Sequence, residues 1–172
     1  AGLDTVMTLH DAARIGHPKA TWGITLGNPV HDDVREISRM TGVDFALDVT
    51  LNRDQLITAA FAGELFQEHA AACEVARQNA MRGVDLPFDV VVTTNSGYPL
   101  DQNLYQAVKG MSAAAQIVEQ DGFILAASRC NDGFPAHGNF RKLLFEHASP
   151  RALLDRIMTP GFSLYDQWEA QL

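Results

Sequence analysis

The clearest hydrophobic pattern lies at residues 89–110, where an apolar run passes directly into a helical repeat. Residues 90–92 are three consecutive valines, which is typical of a strand covered on both faces of a parallel sheet. Turn residues follow, and we expect Asp101 to cap a helix that begins at Gln102. The apolar face of that predicted helix consists of Leu104, Val108, Met111 and Ala115.

The opposite face of the predicted helix carries Gln106 and Lys109, which are three residues apart. Side chains at this spacing are neighbours, so an amide and an ammonium group can bind one anionic group together. Ligands of open α/β sheets lie beyond the carboxyl ends of the strands, near the starts of helices. Spacing alone favours an ordinary solvated helix face, so Gln106 and Lys109 form a candidate anion site that needs further support.

A second strand is predicted at residues 123–127, after Gly122. A strand, a helix and a second strand in succession usually form a parallel pair with a right-handed crossover. The loop at residues 128–134 is then expected at the same edge of the sheet as the turn at residues 95–99. Loops at that edge commonly carry function, so a site is expected there.

The rest of the chain shows alternating helical and strand patterns. Asn28 and Pro29 are typical of a helix start, and that helix should end near Gly42. Further predictions are a hairpin at residues 45–51 and 55–61 and helices at residues 64–82, 140–147 and 150–158. The predicted fold class is α/β, with two small α/β units, the second a β-α-β parallel, Rossmann-like sheet flanked by helices. The predicted domains are residues 1–84 and 85–172.

The composition is that of a globular protein, since 47% of the 172 residues are hydrophobic and 20% are charged. A formal net charge of -8 without basic clusters argues against nucleic acid or anionic membranes as partners. No apolar run is long enough to span a bilayer, and no signal-peptide pattern opens the chain. Cys73 and Cys130 lack the spacing of a zinc site or a disulfide framework, so we expect a reduced, cytoplasmic protein.

The histidines do not by themselves establish a metal site. His10 and His17 are seven residues apart, which would place them on one face of a continuous helix, but a glycine and a proline interrupt that helix. His69 and Cys73 are four residues apart on a predicted helix, where packing and solvent exposure explain them better than a site does.

Several segments together are specific enough to name a family: GNPVHDD, AFAGELFQEHAAAC, NSGYPLDQNLYQAVKG and CNDGF. They resemble, in one order along the chain, the nickel-dependent lactate racemase family, whose members carry a nickel-pincer nucleotide cofactor. The resemblance runs along essentially the whole chain but covers only the later part of the family's length. It implies that residues 1–84 are the tail of the family's amino-terminal catalytic domain and residues 85–172 its carboxyl-terminal domain, truncated at the end.

The resemblance implies roles for particular residues of this sequence. His10 lies as far from GNPVHDD as the family's nickel-coordinating histidine does, and a neutral imidazole suits nickel. Gln106 and Lys109 match the pair that holds the substrate carboxylate in the family's YQ-xx-K motif. Tyr105 and Trp168 are similar to residues that line the cofactor or substrate pocket.

Other functional residues of the family have no counterpart here. The lysine that tethers the cofactor, the two histidines that act as general acid and base, and a substrate-binding arginine are expected upstream. We therefore assign no catalytic residue within this chain. That role is not given to its remaining histidines, which are His17, His31, His69, His137 and His147.

For the intact protein the resemblance implies an isomerase that racemises a small 2-hydroxy acid such as lactate, by hydride transfer through the nickel-pincer nucleotide. The fragment alone is expected to lack the cofactor and to be inactive. Two alternatives stay open: a non-catalytic α/β module that binds a small carboxylate through Gln106 and Lys109, and an assembly domain without a ligand. Carboxylate binding by the isolated chain without nickel would favour the first alternative.

Overall fold

The computed structural model describes residues 2–135 and 138–171, which divide into two compact units. We call Pro18–Gly83 the hairpin unit, and residues 2–17 with 84–171 the parallel-sheet unit. Helices and strands alternate as the fold class predicts, and that prediction is confirmed, whereas the assignment of domains stays a prediction. The elements are α1 (Leu3–Leu9), α2 (Ala12–Ile15), α3 (Pro29–Thr41), β1 (Ala46–Leu51), β2 (Ile57–Gly63), α4 (Leu65–Ala80), β3 (Phe88–Thr94), α5 (Leu104–Ala114), β4 (Val118–Ala127), α6 (Phe140–Phe145), α7 (Pro150–Ile157) and α8 (Gln167–Gln171).

In the hairpin unit, helix α3 begins and ends where its sequence predicts. The Asn28 side chain accepts a hydrogen bond from the Val30 N–H at 3.1 Å. Pro29 occupies the first turn of the helix. Backbone N–H groups in the first turn have no acceptor within the helix, so the missing N–H of proline costs nothing there. At the other end Gly42 takes a φ of +74°, a left-handed conformation that glycine adopts without strain.

The predicted hairpin is confirmed as the antiparallel pair β1 and β2. Its turn is organised by Asn52, whose side-chain oxygen accepts from the N–H groups of Asp54 and Leu56 at 2.9 and 3.0 Å. Helix α4 packs on both strands. The helix follows Glu64, whose carboxylate accepts from the Gln67 N–H at 3.0 Å and so caps its first turn.

In the parallel-sheet unit, β3 and β4 pair in parallel with Val91 opposite Ile124, and α5 connects them. The predicted β-α-β unit is thereby confirmed. Strand β4 begins earlier than predicted, because pairing with β3 starts with Phe88 opposite Val118.

One face of this sheet is covered by α5 and the other is exposed. Val92 is 73% exposed and Phe123 is 67% exposed. The expectation of a strand covered on both faces is therefore wrong for this structure. The physical reason is that α5 is the helix that packs on these strands, and one helix covers one face of a sheet.

Helix α5 turns a different face to the sheet than its apolar stripe predicts. Its buried residues are small, because the helix lies close to the strand backbone: Ala107, Gly110 and Ala114. A Cβ atom on Gly110 would come within 2.5 Å of the Thr94 carbonyl oxygen. The Thr93 hydroxyl donates to the Gly110 carbonyl at 3.2 Å. This close approach fixes the position of α5 and of the residues on its outer face.

The helices that follow form their own core. Leu143, Leu153 and Ile157 are buried together, and Phe140 is 2% exposed. The helices predicted at residues 140–147 and 150–158 are confirmed, with slightly earlier ends. Within the described ranges, every helix is too short or too polar to cross a lipid bilayer.

The hairpin unit buries a carboxyl group, Glu68 of α4, which is 5% exposed and lies near Asp48 of β1. Burial, and then repulsion from the Asp48 carboxylate, raise the pKa of Glu68. The folded chain therefore binds this proton more tightly than the unfolded chain does. As a result, the free energy of unfolding falls as the pH rises from the ordinary pKa of 4.5 to the raised value.

We expect Glu68→Gln to raise the midpoint temperature of unfolding at neutral pH, since the amide removes a buried negative charge beside Asp48. Below about pH 4 the carboxyl group is protonated in both states, and the difference from wild type should disappear. Thermal unfolding across this pH range measures the effect. Glu36 of α3 is exposed, so Glu36→Gln is the matched control. Equal stabilisation by both variants would show that net charge, not burial, is responsible.

Candidate functional site

The segment between β3 and α5 decides where α5 begins. The predicted cap is wrong: Asn103, not Asp101, caps the helix, by accepting from the Gln106 N–H at 3.0 Å. Asp101 is 4% exposed, and its carboxylate accepts from the Arg129 N–H at 2.8 Å. A short polar side chain suits either a cap or a loop, so the path of the backbone decides which role it takes. Asn103, directly before the first apolar helical position, was the signal that sequence reasoning missed.

The loop after β4 is bound to the segment that precedes α5. The Leu104 N–H donates to the Gly133 carbonyl oxygen at 2.8 Å, and the Cys130 N–H donates to the Asp101 carbonyl oxygen at 3.0 Å. These are backbone bonds, so they orient the first turn of α5 without using the side chains on its outer face. The start of α5 is thus held from two sides, by β3 and by the loop after β4.

Gln106 and Lys109 lie one turn apart and partly buried on α5. Lys109 Nζ donates to Gln106 Oε1 at 2.6 Å and lies 5.1 Å from the centroid of the Tyr105 ring. This bond leaves the amide N–H groups of Gln106 and the other ammonium N–H groups of Lys109 as donors. The pair can therefore bind a carboxylate through an amide and a charge-assisted hydrogen bond.

Tyr105 packs beside Lys109 and meets Phe140 edge-on, with ring centroids 6.1 Å apart. Burial, followed by the carboxylates of Glu169 and Asp166, raises the pKa of Tyr105. The phenol therefore stays protonated at neutral pH. It can offer a hydroxyl donor and an apolar ring to a ligand, but it is a poor base.

His10 lies at the end of α1, where its Nδ1 is 2.9 Å from the Val6 carbonyl oxygen. A carbonyl oxygen can only accept, so Nδ1 carries the proton and Nε2 keeps a lone pair for a metal ion. The imidazole ring lies 4.9 Å from the Trp168 ring. In the part of the chain that the structure describes, no three histidine, cysteine or acidic side chains converge on a common metal position. The residues present therefore fit a metal group that takes a single imidazole ligand from this chain.

Trp168 lies on α8 and is 8% exposed. The turn before α8 is held by Asp166, whose carboxylate accepts from the Asn139 N–H at 2.9 Å. The Asn139 side-chain amide donates to the Tyr165 carbonyl at 3.0 Å. Sequence reasoning did not pair Asp166 with Asn139, because the two residues are far apart in the chain and no local pattern links them.

The predicted site residues all lie in the parallel-sheet unit, in two groups. One group is His10 with Trp168, and the other is Tyr105 with Gln106 and Lys109. Helix α8 carries Trp168 and also the Glu169 carboxylate that raises the pKa of Tyr105. The roles of these residues stay predictions. His137, to which no role was given, lies outside the described residues.

The parallel pair with its connecting helix places the chain among α/β proteins, in which ligands commonly lie beyond the carboxyl ends of the strands. Residues 84–172 match the family model described as the lactate racemase C-terminal domain. The chain belongs to the lactate racemase family, which confirms the resemblance carried by its motifs.

Known relatives match over the whole chain. The lactate racemases of Thermoanaerobacterium thermosaccharolyticum and Lactiplantibacillus plantarum are each 34% identical to it over 100% of its length. The apoprotein structure of the former matches 96% of the chain with a TM-score of 0.90 and 34% identity. The chain spans 40% and 41% of the lengths of these curated relatives, and 40% of the chain in that structure. These matches do not favour the alternative hypothesis that the chain is a non-catalytic module that binds a small carboxylate.

Proposed function

We propose that the protein containing this chain is an isomerase that racemises a small 2-hydroxy acid such as lactate. The proposal rests on the hydrogen bond between Lys109 Nζ and Gln106 Oε1 on α5, at 2.6 Å, in a chain of the lactate racemase family. A carboxylate can accept a hydrogen bond from an amide and a charge-assisted hydrogen bond from an ammonium group at the same time. Both curated relatives described above are lactate racemases.

In this proposal the substrate carboxylate accepts hydrogen bonds from Lys109 Nζ and the Gln106 amide. Inversion requires the α-carbon to become planar while the carboxylate stays fixed. Two donors on one helix hold the carboxylate through that change, which keeps the reacting carbon aligned. The Tyr105 ring, 5.1 Å from Lys109 Nζ, restricts the positions that the ammonium group takes.

His10 is the proposed protein ligand to nickel, because its Nδ1–H is bound to Val6 and its Nε2 is available. Trp168 packs against the imidazole and limits the access of water to it. When bound, the nickel-pincer nucleotide supplies hydride transfer at the α-carbon of the substrate. The tethering lysine and the acid and base histidines are expected outside this sequence.

The test uses the protein as its host encodes it, purified from cells that make the cofactor. We expect stoichiometric nickel, an intact mass raised by the cofactor, and racemisation of one or more acids in a panel of 2-hydroxy acids. The 172-residue chain by itself is expected to racemise none of them. A protein without nickel or added mass that also lacks activity on the whole panel would overturn the proposal. Activity of the isolated chain would overturn the assignment of the acid and base residues to other segments.

A further inference from the structure

The hairpin unit contains a pocket that none of the proposed substrate or nickel residues line. Its volume is about 360 Å³, within the range of roughly 300–1,000 Å³ found for small-ligand sites. Residues 23–26 form one wall, and helices α3 and α4 supply the side chains with polar chemistry: His31, Arg35, His69, Cys73, Glu74 and Arg77.

Arg35 gives the pocket a cation with unused donors. Its guanidinium carbon lies 4.5 Å from the centroid of the Phe66 ring, so the ring attracts the cation without accepting its in-plane N–H groups. Across residues 2–135 and 138–171, the Arg35 side chain forms no hydrogen bond. Arg77 differs, because it bonds the Glu74 carboxylate at 2.7 Å and is largely neutralised. A guanidinium group with free donors at a cavity wall is suited to an oxyanion.

Two histidines meet at the same cavity. The rings of His31 and His69 stack with centroids 5.4 Å apart and planes 22° apart. His31 Nδ1 is buried and has no hydrogen-bond partner within the described ranges. Burial, followed by His69 and then Arg35, lowers the pKa of His31, while the Asp32 carboxylate opposes that shift. An anion that accepts a hydrogen bond from the His31 ring would give this buried nitrogen-bearing ring a partner and would favour its protonated form.

A metal ion is a poorer occupant of this pocket. Cys73 Sγ lies 3.6 Å from His69 Nε2, but burial and then the carboxylates of Asp48 and Glu68 raise the pKa of the Cys73 thiol. A metal ion binds the thiolate, which this environment disfavours. Consistent with this, no three potential ligands in the described residues are placed to hold a metal.

We propose that this pocket binds a phosphate-class oxyanion, free or as the phosphate group of a small organic molecule, through Arg35, His31 and His69. Phosphate has several acceptor oxygens, so it can accept from the guanidinium edge and from imidazole N–H groups at the same time. The second ionisation of a phosphate monoester, near pH 6, is close to that of imidazole, and that of inorganic phosphate is about one unit higher. Binding near neutral pH is therefore coupled to proton uptake by the histidines.

The test is a pH titration of the His31 and His69 ring signals by NMR in the full chain. Inorganic phosphate, glycerol 3-phosphate and acetate are compared at constant ionic strength. We expect the chemical shifts of both rings to change and saturate at millimolar phosphate. With phosphate bound, His31 should bind its proton about tenfold more tightly than without phosphate. Tighter binding of the ester than of inorganic phosphate identifies an organic phosphate, and the reverse identifies the free ion. An equal response to acetate, or no saturable shift with either phosphate, would overturn the proposal.

The helix offers a matched pair of variants. Arg39 also lies over the Phe66 ring, at 4.9 Å, but does not line the pocket. We expect Arg35→Gln to weaken phosphate binding at least about tenfold and Arg39→Gln to leave it unchanged. Both variants lose one positive charge and one contact with Phe66. If both weakened phosphate binding equally, the effect would come from net charge, and the proposed site at Arg35 would be wrong.

Discussion

Replacing Lys109 with alanine is expected to lower kcat/KM for racemisation by about 100-fold, or about 2.7 kcal/mol. The substitution removes the proposed charged donor to the substrate carboxylate, and hydrogen bonds to charged groups contribute about 1.5–3 kcal/mol. It also leaves the Gln106 amide without its partner at 2.6 Å. Steady-state kinetics from both enantiomers measure the effect. We expect KM to rise through weaker binding and kcat to fall through poorer alignment of the α-carbon.

Two further variants separate charge from packing. Lys109→Met keeps an apolar stem beside the Tyr105 ring and removes the charge, so it should lose nearly as much activity as the alanine variant. Lys142 is exposed on α6, with its Nζ 4.0 Å from Glu146, and an exposed pair of this kind contributes little. Lys142→Ala should therefore behave as wild type. Unchanged turnover in both Lys109 variants would refute the proposed carboxylate site and support the reading as an assembly domain.

Replacing Phe140 with alanine is expected to lower the free energy of unfolding by about 3–5 kcal/mol. Phe140 is 2% exposed and meets the rings of Tyr105 and Phe134 at centroid distances of 6.1 and 6.0 Å. Its removal leaves a cavity under Tyr105. It also removes the favourable free energy of burying the phenyl ring away from water. Urea denaturation measures the change in the free energy of unfolding. The m-value, which is the slope of that free energy against urea concentration, should be the same in wild type and variant.

The control for Phe140 lies on the same helix. Phe145 is 69% exposed, so Phe145→Ala changes the same chemical group without emptying a core position. Phe145→Ala gives up an edge-on contact with the Phe134 ring, at 5.6 Å between centroids, so we expect a loss of about 0.5–1.5 kcal/mol, well below that of Phe140→Ala. A similar loss in the two variants would mean that Phe140 does not close the core beneath Tyr105.

Local signals in the sequence were sufficient for much of the fold. Asn28 with Pro29 predicted the start of α3, and Asn52 lies in the predicted hairpin turn, because a cap or turn depends on a few neighbouring backbone groups. The β-α-β unit followed from one apolar run, one helical repeat and a second run. The candidate substrate pair followed from helical spacing, but its proposed role needed the family resemblance, since the same spacing occurs on ordinary solvated helices.

What failed was the prediction of which surfaces meet. Residues 90–92 have a composition suited to burial on both sides, yet Val92 is 73% exposed, because cover depends on a partner element and not on the strand itself. The apolar stripe of α5 indicated the wrong face, because tight packing against the Thr94 backbone selects Gly110 and its small neighbours over larger side chains. Burial is a property of pairs of elements, and a single segment does not specify it.

By itself the sequence indicated most of the helices and strands, the parallel pair and the spacing of Gln106 and Lys109, because these depend on patterns within short segments. The other candidate site residues, His10, Tyr105 and Trp168, followed from the family resemblance and not from spacing. Tertiary structure alone decided that His10 lies 4.9 Å from Trp168, and that Asp166 and Asn139 hold the turn before α8. It also decided that His31, Arg35 and His69 line one pocket. These contacts join residues from different elements, and their distances depend on how those elements pack, which no local pattern encodes.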